Sequence, residues 1–200
     1  MKKQLLIATN NRGKVIEIQA LLADMDCELV TPSQINLNLD VEEDGGTYAE
    51  NATKKAVAFA RASGLVSLAD DSGLEVDALN GAPGLHSARY SLMQRASDTD
   101  RRAYLLHNLR GKPRPWTARF RATVAIATPR GDVELAEGIC PGEIVPEERG
   151  TGGFGYDPIF LLQEMGLTMA ELSMDEKNRL SHRARAVQAA RPILIRLLGA

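Results

Sequence analysis

The sequence predicts an α/β fold in which strands and helices interleave along a single chain. Three observations carry that expectation. Short apolar runs of strand length recur, and stretches with apolar residues three and four apart lie between several of them. Capping signals and glycine stops bound the helical stretches. With 200 residues and 44% hydrophobic content, the chain can bury one substantial core shaped at most as two lobes, so residues 1–200 are expected to form one domain.

Taken in order, Leu5-Leu6-Ile7-Ala8 reads as a strand that is apolar, hence covered, on both faces. It enters the polar turn from Thr9 to Gly13, after which Val15, Ile18, Leu21 and Leu22 trace the core face of a helix. Cys27 to Val30 is a second strand, and residues 36–46 form an acidic loop or edge. Thr47 and Glu50 make a capping box that opens an Ala-rich helix ending at Gly64. Leu65 to Ala69 is a strand delivering Asp70-Asp71-Ser72-Gly73 at its C-terminal end. Residues 74–79 are extended, the stretch to Ser91 is irregular, and a helix covers Thr99 to Leu109. Phe120 to Thr128 and Val133 to Ile139 flank Pro-Arg-Gly-Asp as a hairpin. Ser173 and Glu176 form a second capping box, and Ser181 opens a last helix whose apolar positions include Val187, Ile193, Ile195 and Leu197.

A net charge of -2 with 25% charged residues describes a folded, soluble chain and gives no global attraction to nucleic acid or an anionic membrane. Cys27 and Cys140 have no CxxC partner and read as buried thiols in a reducing compartment. No run approaches membrane-spanning length, and the apolar start is too short for a signal-peptide core, so the cytoplasm is expected. The stretch Arg110 to Arg121, basic with Trp116 and Phe120 interleaved, has the composition of a single-strand nucleic-acid binder, but its prolines suit an exposed connection entering a strand.

Five constellations bear on chemistry. Thr9-Asn10-Asn11-Arg12-Gly13-Lys14 is a strand-to-helix turn where unpaired helical N–H groups, the helix dipole, Arg12 and Lys14 suit a polyphosphate; otherwise it is an ordinary connection. It lacks P-loop spacing. Asp70-Asp71 sits where α/β proteins place their sites, and neighbouring strand residues point to opposite sides, so one carboxylate faces a ligand while the other bonds the scaffold. Such oxygens suit Mg²⁺; the same four residues also make good turn chemistry. Glu42-Glu43-Asp44 offers a further metal ligand, or is a solvated loop. Gly150-Thr-Gly-Gly-Phe154-Gly155 matches GxGxxG in the wrong context for a dinucleotide site, and its glycines beside Phe154 and Tyr156 suit either base stacking or a tight turn with two core aromatics. Lys177, His182 and Arg183 gather donors near helix starts.

In combination and order, Thr9–Lys14, Glu50-Asn51-Ala52 with Lys55, Ala69–Leu74, Gly81–Gly84 with Ser87–Tyr90, Gly150–Pro158 and Glu176–Asn178 with Ser181–Arg183 resemble the inosine/xanthosine triphosphate pyrophosphatase family. The resemblance implies an elongated α/β fold, a mixed sheet flanked by helices in two lobes with a central active-site cleft, usually as a homodimer. It implies Mg²⁺-dependent hydrolysis of deaminated purine triphosphates such as ITP, dITP and XTP to the monophosphate and pyrophosphate. By matching position, Thr9, Asn10, Asn11, Arg12, Gly13, Lys14 and Lys55 hold phosphates. Asp71 is the general base or orients the attacking water, and Glu42 or Glu43 joins it at the metal. Ser72, Phe154, Gly155, Tyr156, Asp157, Lys177, His182 and Arg183 hold the nucleotide. Asn10 replaces the family's usual glycine, and Leu92 to Arg102 departs from its pattern. Rival readings are a pyrophosphatase for modified pyrimidine nucleotides and a non-catalytic nucleotide or RNA binder.

Overall fold

The computed structural model describes residues 2–199. Seven strands form one mixed sheet in the order β2-β1-β3-β4-β5-β6-β7: β1 (Gln4–Ile7), β2 (Glu28–Val30), β3 (Val66–Val76), β4 (Trp116–Ala127), β5 (Val133–Ile144), β6 (Phe160–Leu162) and β7 (Leu167–Thr168). β1 runs parallel to β2 and β3, whereas β6 is antiparallel to β5 and β7. The helices are α1 (Arg12–Leu21), α2 (Tyr48–Ser63), α3 (Asp98–Leu109), α4 (Met174–Leu180) and α5 (His182–Leu198).

The chain divides into two compact units. Unit 1 comprises residues 1–71, 122–138 and 182–200. Within it, residues 5–7 of β1, 67–71 of β3 and 122–127 of β4 are buried on both faces, as the apolar run at residues 5–8 requires, whereas β2 and β5 are partly exposed. Leu5, Ile7, Leu68, Val124 and Ile126 join Ile18, Val187 and Leu194 of α1 and α5 in one layer. Leu6, Ala8, Ala69, Ala125 and Ala127 meet Ala52, Ala56 and Phe59 of α2 in the other. The two-residue period of each strand thus assigns alternate side chains to different helices. Unit 2 comprises residues 72–121 and 139–181; its core gathers Leu74, Val76, Leu105, Leu109, Trp116, Phe120, Ile144 and Phe160.

Several elements differ from the sequence expectation. β3 does not end at Ala69 but continues through Asp70-Asp71-Ser72-Gly73 to Val76. The turn propensity of that tetrapeptide is overridden because Leu74 and Val76 continue the buried alternation and both carboxylates find cationic partners. Both hairpin strands run longer than expected. Thr47 accepts the Glu50 N–H, but Glu50 reaches back to the Gly46 N–H rather than to Thr47, so the box is not reciprocal. Ser173–Glu176 is a full box, and so is Ser97–Asp100 at the start of α3. Ile195 is 46% exposed, with Leu194 and Leu198 on the core face instead. Cys27 is only half-buried, Cys140 is buried, and no disulfide joins them.

Candidate functional site

In unit 1 the alternation of β3 sends its two carboxylates to different helices. Asp70, on the side of α1 and α5, takes an ion pair from Lys14 at 2.7 Å and bonds from Arg183 Nε and Nη2 at 3.3 and 3.2 Å. Arg183 also pairs with Glu17, one turn beyond Lys14 on α1. Glu17, Asp70 and Arg183 are all buried. Asp71, on the α2 side, accepts from Asn51 Nδ2 at 3.2 Å and Lys55 Nζ at 3.2 Å. Asn51 and Lys55 are four residues apart and so share one face of α2. Lys55 also reaches Glu43 at 3.1 Å and the Asp70 carbonyl at 2.9 Å, and Lys14 donates to that carbonyl at 3.3 Å.

These placements separate the acids electrostatically. Burial works to raise the Asp70 carboxyl, but Arg183, Lys14 and Lys55 hold it far below the usual carboxylate range. For Asp71 burial prevails and raises the pKa, aided by Glu43 and Asp70 against the pull of Lys55 and Lys14. Burial also lowers Lys14, with Arg183 and Lys55 adding to the shift and Asp70 opposing it.

In the first turn, Thr9 Oγ1 accepts the Asn11 N–H at 3.2 Å, and Asn11 caps α1 by accepting the Lys14 N–H at 3.1 Å. Asn10, Asn11 and Arg12 are exposed, and Gly13 is half-buried. Asn36, Asn80 and Arg95 are the described non-glycine residues with positive φ; Asn10 is not among them, so its position needs no glycine-like freedom. Asp71 and Glu43 bring two carboxylates to the same ammonium, whereas exposed Glu42 acts on Lys54. Among the described residues no three His, Cys, Asp or Glu side chains form a metal cage. Two hard oxygens fit magnesium, which commonly takes one or two carboxylates and completes its shell with phosphate oxygens and water.

In unit 2 the glycine-rich loop is organised around Asp157. Its Oδ2 accepts the Phe154 N–H at 2.9 Å and pairs with Lys177 at 2.6 Å, and that ammonium lies 5.1 Å from the Phe154 ring centroid. Phe154 is half-buried. Tyr156 is a core residue whose hydroxyl donates to the Ser87 carbonyl at 2.9 Å, and burial raises its pKa strongly. Ser72 follows Asp71 in β3 and is half-buried; His182 opens α5 with its side chain buried. The basic stretch is largely matched by acid: Arg119 and Arg121 pair with Glu75, and Arg114 with Glu143. Its Trp116 is buried and donates to the Lys112 carbonyl, so that ring is no stacking platform.

Asn51 stands in a motif that carries the family resemblance but without a role there, and no motif in the sequence points to Glu17, Asp98 or Arg102 as functional residues. Glu17 carried a signal in hindsight: a charged residue in register with Ile18 and Leu21 on a core-facing stripe must have a buried partner.

The sequence model of the Ham1 family matches residues 5–193. The chain belongs to the Ham1 family. It is 50% identical to a dITP/XTP pyrophosphatase of Desulforamulus reducens over 97% of its own length and 96% of that protein. It is 48% identical to one of Geobacter sulfurreducens, with 92% of each chain covered. Among solved structures, a HAM1 protein from Coxiella burnetii superposes with a TM-score of 0.87 at 36% identity, covering 97% of this chain and 99% of that one. The Ham1 protein of Staphylococcus aureus gives 0.84 at 38% identity, covering 96% and 98%. The mixed sheet with flanking helices is therefore the Ham1 fold.

Proposed function

We propose that this Ham1-family chain hydrolyses deaminated purine nucleoside triphosphates, ITP, dITP and XTP, to the monophosphate and pyrophosphate, removing them from the pool that supplies DNA and RNA. Half-identity to relatives named dITP/XTP pyrophosphatase supports the class, and the observation that carries the chemistry is the unlike pair Asp70 and Asp71. Asp71, whose pKa burial raises while Asn51 and Lys55 hold it in place, is the general base. It takes a proton from water as the water oxygen bonds to the α-phosphorus and the bond to the bridging oxygen breaks, releasing pyrophosphate. Asn51 and Lys55 orient it.

Thr9 to Lys14 and Lys55 hold the phosphates, and the two ammonium groups offset charge growing on the phosphate oxygens. Arg183, committed to Asp70 and Glu17, acts by keeping Asp70 ionised and Lys14 in place rather than by meeting the base. Asp71 and Glu43 would hold Mg²⁺, which when bound supplies further neutralisation of the triphosphate. Phe154 offers a ring to the base, with Lys177 and backbone groups of Gly155 to Asp157 as donors, and Ser72 and His182 complete the nucleotide contacts. A donor facing the 6-keto oxygen of inosine or xanthine is left unpaired by adenine. The chain works as a homodimer in the cytoplasm. No described helix is long and apolar enough to cross a membrane.

The decisive assay is a panel of ITP, XTP, ATP, GTP and modified pyrimidine triphosphates with Mg²⁺, read for pyrophosphate. ITP and XTP are expected to turn over much faster than ATP or GTP. Orthophosphate as first product, or a preference for pyrimidines, overturns this function.

A further inference from the structure

Besides the bond from the Gly152 N–H to the Ala170 carbonyl, the glycine-rich loop is held from outside by one helix at both backbone polar groups of Gly155. Asp98, the first residue of α3, accepts the Gly155 N–H at 2.7 Å, and Arg102, one turn later on the same face, donates to the Gly155 carbonyl at 2.8 Å. The Arg102 guanidinium is itself fixed: it forks onto Glu148 at 2.9 and 2.8 Å, meets Thr99 Oγ1 at 3.1 Å, and is 8% exposed. Burial works to raise the Asp98 carboxyl, yet the Gly155 N–H and Arg101 hold it below its ordinary value, so it is an acceptor at neutral pH. The loop needs such restraint. Gly153 and Gly155 both have positive φ, a backbone that keeps wide freedom unless bonded. Between these glycines stands Phe154, whose N–H is held by Asp157.

We propose that Asp98 and Arg102 are positioning residues for purine recognition, gripping both backbone polar groups of Gly155, the N–H of one peptide and the C=O of the next, so that Phe154 is fixed as the platform for the base. This rests on the pyrophosphatase function above. Neither residue touches substrate; both act through the loop.

The test compares wild type with Arg102→Ala, Arg102→Lys, Asp98→Ala, Phe154→Ala and the Phe154→Ala/Arg102→Ala double variant, each first shown by circular dichroism to be folded. Pyrophosphate release from ITP gives KM and kcat, and calorimetry gives affinity for inosine monophosphate and for inorganic pyrophosphate. Losing a charged hydrogen bond to the loop is expected to raise KM for ITP about tenfold in Arg102→Ala and Asp98→Ala and to weaken inosine monophosphate similarly. Under the proposal kcat changes far less, pyrophosphate affinity holds, and Arg102→Lys recovers part of the loss. In the Phe154→Ala background, Arg102→Ala adds under about twofold, because the two act in series. An equal loss of pyrophosphate affinity, or the full penalty without Phe154, overturns the proposal. If Arg102→Ala does not fold, Asp98→Ala, which removes the N–H arm together with the ion pair to Arg101, decides, with Arg101→Ala as its control. A wild type that releases no pyrophosphate from ITP overturns the activity itself; an active wild type with indifferent variants overturns the clamp alone.

Discussion

Asp70 and Asp71 share a residue type, a strand and a peptide bond, and burial raises both, yet the cations outweigh burial at Asp70 and not at Asp71. Asp71→Asn removes the base and is expected to lower kcat by about 10² to 10⁴ with nucleotide binding retained; near-normal turnover in that variant would take Asp71 out of its role. Asp70→Asn belongs to stability. It leaves buried Arg183 its pair with Glu17 but not that with Asp70, and half-buried Lys14 without its carboxylate, at a cost of about 3 kcal/mol. The pH dependence has a definite sign. Because the folded pKa is depressed, the Asp70 contribution is complete above the unfolded value near ~4, shrinks by about 1.4 kcal/mol per pH unit below it, and is gone only below the far lower folded value. The gap in urea midpoint between wild type and Asp70→Asn, in metal-free protein, should therefore be widest at pH 7 and smaller, without closing, at pH 3. The sequence shows two adjacent acids after an apolar run, and alternation alone says they part company. It does not show that Arg183 is spent on Asp70, since that partnership spans 113 residues.

At the scale of elements, caps and periodicity carry most of the reading. Gly64 sits left-handed at the end of α2 with φ of 71°, as its place after the Ala-rich stretch implies. β3 was less legible: Asp-Asp-Ser-Gly has local turn chemistry, and only the buried partners of residues 70–76 make it a strand. The side of each helix that meets the sheet was partly legible; at α5 the alanines 184, 186 and 190 mark the buried face better than Ile195 does. Those small residues let α5 lie close on β5. A methyl on Gly138 would come within 2.1 Å of the His182 carbonyl oxygen and 2.4 Å of the Ala186 nitrogen. Gly138→Ala should therefore push the start of α5 away, costing about 1–3 kcal/mol, and lower turnover through Arg183; Gly64→Ala, whose methyl meets nothing within 4 Å and adds only backbone strain, should remain fully active. Thermal melts beside kcat measurements on both variants separate these outcomes.

For the molecule as a whole, the interleaved elements and the order of motifs made the α/β class and the family legible, because local patterns survive in any reading frame of contacts. The loop grip by α3 was not, since Asp98 and Arg102 look like ordinary helix-surface charges until the fold brings Gly155 to them. Asp71 and Glu43, proposed for Mg²⁺, both pair with Lys55, so removing metal should leave the packing of α2 on β3 in place. Chelation with EDTA should abolish turnover yet shift Tm by no more than about 1–2 °C. Mg²⁺ with inosine monophosphate at a hundred times Kd should raise it by roughly 5–10 °C. A larger loss of Tm on chelation would contradict this. Unit 1 draws on three separate stretches, and α5 follows every other part of it along the chain. During synthesis, then, β1, α1, α2 and β3 emerge long before the helix that covers one of their faces and carries the counter-ion of Asp70. Unit 1 cannot complete its packing piece by piece on the ribosome; it waits for residues 182–198, and a chain stopped before them lacks the Val187 and Leu194 side of its core and the Arg183 partner of Asp70.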